Sequence, residues 1–208
     1  MLRFARRHAP RLGSVSAVVL AVSTSAALAA SSTPRAAASH LAAYLVRSGD
    51  VAGYAPDGAA TSFTTASAWG GARTPLTARL EREGFVAASS EYTFYTPKNG
   101  SGGGISWALE LGSARSASTE LAADYKQLAV GTMGASVVRR YSLSAIGGSR
   151  AWTTAALGFQ AANVLRTEGR CVLLIGIERT TGGTLSNVMG PLQSAAESIY
   201  KRTRHSCP

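Results

Sequence analysis

Few side chains in this 208-residue chain are equipped to do chemistry. The three histidines are His8, His40 and His205. A Ser-His-Asp engine needs an imidazole held rigidly beside its nucleophile. His8 and His40 fall in N-terminal segments read below as a signal and a tether, so only His205, beside the last cysteine, is expected to be ordered. No Gly-x-Ser-x-Gly elbow, His-Glu-x-x-His pair or Cys-x-x-Cys occurs, so no catalytic residue, metal ligand or cofactor is assigned. Paired carboxylates could still cleave a glycosidic bond. The acids Glu81 and Glu83 lie on a helix among arginines, Glu110 and Glu178 end strands, and Asp50 and Asp57 lie in loops. All six read as solvated charges.

Two further groups could bind rather than react. Arg139, Arg140, Arg150 and Arg166 come from one predicted sheet half and could form an anionic-surface contact. A nucleic-acid partner would require stacking aromatics between them; only Tyr141 and Trp152 are near, and export argues against such a partner. Trp107 and Trp152, with Tyr141, are candidates to line a ligand pocket; packing in the core is the better reading of the two tryptophans. The glycine-rich stretch from Pro97 to Gly104 lacks the Gly-Lys-Ser/Thr ending of a phosphate cradle and opens a strand, so it reads as a hairpin connection.

Cys171 and Cys207 are the only cysteines. Cys171 opens an apolar run to Ile177, rich in β-branched residues, that reads as a strand buried in a sheet. From Leu185, apolar residues at Val188, Met189, Leu192, Ala195, Ala196 and Ile199 form a helical stripe. The strand climbs roughly 25 Å and the helix returns about 20 to 30 Å, which brings Cys207 back to Cys171. A disulfide there closes a loop of about 37 residues and stabilises the fold by roughly 4 kcal/mol on the chain-entropy model.

Such a bond persists in an oxidising compartment, and the N-terminus agrees. Arg3, Arg6, Arg7 and Arg11 precede an apolar core from Val15 to Val22, and Ala27 to Ala29 make a small-x-small cleavage site. Residues 1–29 read as an export signal, with the general route favoured over the twin-arginine route and an uncleaved anchor as the alternative. Residues 30–39 read as a flexible tether and 40–208 as one domain. Four arginines leave with the signal, so the chain's +10 becomes 17 basic against 11 acidic residues. That moderate positive balance suits proximity to an anionic envelope without specifying an activity.

The domain reads in order as a short helix near Leu41 to Leu45, a loop over 51–58, a weak strand from Thr61, and a helix from Pro75 to Glu83. That helix has Thr74 as N-cap and Gly84 as left-handed stop, with Phe85 packing back on Leu80. Strands follow at Phe85 to Tyr95 and Ile105 to Leu111, then a helix from Ser113 to Val130 ended by Gly131 and Gly134. Four strands come next, over Val137 to Ala145, Arg150 to Ala156, Phe159 to Thr167 and Cys171 to Ile177. A tight turn at Glu168 and Gly169 sets Leu165 opposite Val172 and Val164 opposite Leu173. Pro191 should begin or kink the last helix. Short turns between strands imply an antiparallel sheet, and the segregated amphipathic helices imply that they cover it. The fold class is therefore α+β, a single antiparallel sheet of six to seven strands covered by helices.

The stretch Leu80 to Val86, Ile105 to Leu111 with its Ala/Ser-rich helix, and Ala162 to Leu165 hairpinned onto Cys171 to Ile177 is similar to secreted actinobacterial domains of uncharacterised function. More distantly it resembles PsbP and LpqN-like α/β sandwiches and the extracellular sensor domains of actinobacterial serine/threonine kinases. The resemblance spans Leu76 to Tyr200. It implies a binding or assembly module and carries over no site residue; the second disulfide of the kinase sensors has no counterpart in a chain with two cysteines. The expected function is an exported, non-catalytic module taking a small apolar ligand, an anionic envelope component or a protein partner. The alternatives are a carboxylate-based envelope hydrolase and a structural protein held by its N-terminal anchor.

Overall fold

The computed structural model describes residues 40–95, 102–129, 136–156, 159–179, 186–205 and 207. The expected signal and tether, the Pro97 to Ser101 part of the hairpin connection, the Gly131 and Gly134 helix stop and residues 180–185 lie outside the described residues. Eight strands, all antiparallel, form one sheet in the order β1-β3-β4-β8-β7-β6-β5, with β2 also on β3. They are β1 Tyr54–Pro56, β2 Thr61–Phe63, β3 Ala87–Tyr95, β4 Gly102–Glu110, β5 Ser136–Tyr141, β6 Arg150–Ala156, β7 Phe159–Glu168 and β8 Cys171–Arg179. The helices are α1 Ala66–Gly70, α2 Pro75–Arg82, α3 Ala114–Leu128 and α4 Ser186–Thr203, with a 3-10 turn at Ala42–Tyr44.

The cysteine-bearing strand β8 is the middle of this sheet, and its residues from Cys171 to Ile177 are all buried. Its odd-numbered side chains face α4, where Ile175 and Ile177 pack with Ala162 and Val164 of β7 under Val188, Leu192, Ala195, Ala196 and Ile199. Its even-numbered side chains face α3, where Val172 and Leu174 join Trp107, Leu109, Trp152 and Leu165 under Ala117 and Leu121. A strand covered on both faces has no polar side to alternate with, which is why it reads as a continuous apolar run.

Helix α2 starts and stops on the expected residues. The Thr74 side chain accepts from the Thr77 amide, Gly84 has φ 71°, and the Phe85 amide donates to the Leu80 carbonyl at 3.0 Å. Ser113 caps α3 in the same way, accepting from the Ser116 amide at 3.0 Å. Helix α4 continues through Pro191.

Four expectations are corrected. The turn after β7 is Gly169 and Arg170, because Gly169 takes φ 52°; Glu168 therefore pairs with Cys171, Leu165 with Leu174 and Val164 with Ile175. The slip is two residues on β8, so every side chain keeps its expected face. The loop over 51–58 contains β1, paired with the far end of β3. The weak strand from Thr61 ends at Phe63 and gives way to α1, whose N-cap Thr65 accepts from the Ala68 amide. Gly102 to Gly104 belong to β4, held between β3 and β8, so a run without strand propensity is made a strand by its two partners.

Candidate functional site

The two ends of the sheet are built differently, and the contrast locates the site. At the Cys171 end, the disulfide to Cys207 spans 6.1 Å between Cα atoms. Glu110, opposite Cys171 in the ladder, is only 1% exposed; its carboxylate meets His40 Nε2 at 2.9 Å and the Arg170 guanidinium. Arg166 pairs with Glu168 and lies 4.6 Å over the Tyr200 ring. Asp50, 8% exposed, accepts from Arg202 Nη1 at 2.8 Å and from the Arg47 amide at 2.7 Å. The same guanidinium donates to the carbonyls of Ala43 and Leu45, so α4 is stitched to the N-terminal turn. Burial pulls the Asp50 carboxyl up, but hydrogen bonds from Arg202, Ser198 and Arg47 and the Arg202 charge outweigh it and hold it below its ordinary value.

His40 is thus part of the domain and engaged by Glu110, contrary to the expectation that only His205 would be ordered. Glu110 and Asp50 are likewise not solvated charges. Each is buried because a cation distant in sequence meets it, a pairing invisible in local composition.

A carboxylate pair does occur, but not in a cleft. Glu120 and Asp124 stand one turn apart on α3, and Arg79 of α2 clamps them, donating to Glu120 at 2.7 and 2.8 Å and to Asp124 at 3.1 Å. Burial, then the neighbouring Glu120 charge, pushes the Asp124 carboxyl well above its ordinary value against the pull of Arg79. This cluster ties α2 to α3 and offers no face to a glycosidic bond. Two other recessed acids, Glu91 and Glu178, have raised carboxyls: Glu91 through burial and the Asp57 charge, Glu178 through burial. Glu91 pairs with Ser106, which pairs with Ile175 on the α4 face. Glu178 belongs to the α3 face. A sheet separates them, so they cannot flank one bond.

Glu178, like Glu91, stands outside these ion pairs. Its carboxyl is pushed up to about 7 by burial, and among the described residues no cation pairs with it. Arg179, next in the chain, points to the other face by strand alternation. The row across the sheet at Glu178 runs Thr154, Ala161, Glu178, Gly103, Phe94, and the next runs Trp152, Asn163, Gly176, Ile105, Tyr92. Under the body of α3 the same strands present Trp107, Leu109, Leu165, Val172 and Leu174. Directly beside Glu178 the flanking positions are Gly103, Ala161 and Gly176, small residues that are themselves buried. The Asn163 amide leans into this space, its Oδ1 2.7 Å from where a Cβ on Gly176 would stand.

The residues singled out from sequence do not converge. Trp107 and Trp152 are buried on the α3 face, Trp107 edge-on to Trp69 and Trp152 edge-on to Tyr125. Tyr141 packs against the α4 face, so the three share no pocket. Arg139 and Arg140 are exposed on β5 and point to opposite faces, opposite Thr153 and Trp152. Arg150, also exposed, lies 5.0 Å over the Tyr125 ring on the α3 face, and Arg166 is buried under α4. They form no single patch. Glu178 was missed because it was read as a solvated charge at the end of a strand. Its parity with Val172, Leu174 and Gly176 was the available signal that it faces inward.

Among the described residues no three His, Cys, Asp or Glu converge to hold a metal ion, and no described helix is long and apolar enough to cross a membrane. No family model matches the chain, and no curated protein does. The fold is similar to that in the crystal structure of the extracellular domain of PknH from Mycobacterium tuberculosis, with a TM-score of 0.53 at 11% identity over 80% of this chain and 96% of that one. The extracellular sensor branch of the sequence resemblance is therefore matched in architecture.

Proposed function

We propose that this chain is an exported, non-catalytic binding module that takes a small, partly apolar ligand on the α3 face at the Glu178 end of the sheet. The observation that carries the reading is a recessed carboxyl without a cation among the described residues, set beside small residues on the α3 face; Glu91, the other buried acid without one, lies on the opposite face of the sheet. Natural chains tolerate such a group where it is used, since perturbed and unmatched ionisable groups cluster at functional sites. Export is supported by the signal-like first 29 residues, by a disulfide that needs an oxidising compartment, and by an architecture shared with an extracellular domain. The hydrolase alternative loses ground at the pairs considered above: Arg79 clamps Glu120 and Asp124, and the sheet separates Glu91 from Glu178.

Native mass spectrometry of the protein secreted by its own cells tests the reading. The expected result is a mature chain beginning near Ala30, lighter by two hydrogens for the disulfide, with a retained small molecule lost when Ala161→Met fills the floor. A bound molecule indifferent to that substitution, or none after gentle extraction, overturns the site.

A further inference from the structure

We infer that the ligand of the Glu178 site is an amine, bound through its ammonium group to the Glu178 carboxylate and the Asn163 amide oxygen with its apolar part along Ile105. The inference rests on the binding reading above and adds the chemical class. The site presents acceptors: the two carboxylate oxygens of Glu178, and Asn163 Oδ1 held over Gly176. Among the described residues neither side chain has a protein cation, and the neighbours in the Glu178 row, Ala161 and Gly103, bring no donor side chain. An ammonium supplies three donors and one positive charge on a compact head. It therefore satisfies several acceptors at once and removes the penalty of an unpaired buried carboxylate. A carboxylate or phosphate ligand would meet like charge. An alcohol would leave the charge unmatched.

The glycines decide what such a head meets. Gly103 and Gly176 carry no side chain of their own beside Glu178, and the space over Gly176 is taken by the Asn163 amide, so a head group at the carboxyl meets that amide. Ile105, partly buried, borders the floor through its Cγ2, 3.4 Å from the Cβ position of Gly176. It gives a short alkyl or aryl chain an apolar wall.

The test is an amide chemical-shift titration of the oxidised domain at pH 8 with hexylamine, hexanol and hexanoate. Hexylamine is expected to shift the Ala161, Asn163, Gly176 and Glu178 signals with at least tenfold tighter apparent affinity than the other two, and Glu178→Gln to weaken it at least tenfold. The comparison among the three probes uses the unmodified chain and stands even if the variant does not fold. Equal binding of hexanol and hexylamine, unaffected by Glu178→Gln, overturns the amine class while leaving a binding site in place. Shifts elsewhere, or from no probe, overturn the amine class; the site is then judged separately by whether Ala161→Met releases the molecule retained from the cell.

Discussion

The Cys171 end and the Glu178 end of this sheet share strands β4, β7 and β8 but follow opposite rules. At the first, each deeply buried charge has a partner: Glu110 with His40 and Arg170, Glu168 with Arg166, Asp50 with Arg202. A covalent bridge closes over them. At the second, large side chains give way to Gly103, Gly176 and Ala161, and Glu178 stands without a cation among the described residues. The difference teaches where stability and function are divided. A satisfied, cross-linked end can be rigid because nothing has to enter it. An unsatisfied end is tolerated because the rest of the molecule holds the strands in place.

The contrast is broken most forcefully at the closed end. Replacing both cysteines, Cys171→Ala with Cys207→Ala, should lower the unfolding free energy by about 4 kcal/mol for a loop of this length, read by urea denaturation. A loss under about 1 kcal/mol would mean that the ion pairs alone secure α4. Next in size is Arg202→Ala, which strands the Asp50 carboxylate and two further acceptors, the Ala43 and Leu45 carbonyls; about 3 kcal/mol should be lost near neutral pH. The Asp50 carboxyl is held below its ordinary value, so its contribution is complete above the unfolded aspartate range and disappears as pH falls through the folded value. The stability curves of the variant and the parent should therefore converge in acid. A gap that persists unchanged there would show that Arg202 acts through packing alone.

Glu178 reverses that sign. Its folded carboxyl titrates at about 7, above the unfolded glutamate, so the folded state holds the proton more tightly. Its stabilising contribution is complete below the unfolded value and is lost as pH rises toward 7. Glu178→Gln removes the charge and should raise stability by about 2 kcal/mol at pH 8, allowing for partial solvent screening, and change little at pH 4. Thermal melts across that range check it. A variant less stable at pH 8 would place a hidden cation at Glu178 and erase the difference between the two ends.

Much of the closed end was legible. Thr74, Pro75 and Gly84 mark α2 through local chemistry, and the matched lengths of β8 and α4 return Cys207 to Cys171 without knowledge of anything between them. The hairpin register was misjudged by two residues because Glu168 and Gly169 were taken as the turn, and only the backbone of Gly169 distinguishes that from Gly169 and Arg170. The open end was hidden for a different reason. Glycine carries no strand propensity, so Gly102 to Gly104 read as loop, and a glutamate at a strand end reads as solvated. Both readings fail because the neighbours in the sheet, β3 and β8 for the glycines and β4 and β7 for Glu178, lie far off in sequence. Asp50 fails the same way, with its partner Arg202 more than 150 residues distant.

The smallest expected effect is the most discriminating. Gly176 has an ordinary negative-φ strand conformation, since it is absent from the left-handed glycines, and alanine there should gain a few tenths of a kcal/mol from reduced freedom of the unfolded chain. Against that, the new Cβ would stand 2.7 Å from Asn163 Oδ1 and 3.4 Å from Ile105 Cγ2. Asn163 Oδ1 is the far end of a side chain with two rotatable bonds. If the space around Glu178 is open, the amide swings aside and Gly176→Ala costs less than about 1 kcal/mol, while the variant loses its response to hexylamine because one acceptor has moved. If that space is packed core, the amide cannot move and the cost exceeds about 2 kcal/mol, with partial rescue by Asn163→Ala. A near-neutral melt combined with a lost titration is the pattern only an accessible, functional floor produces.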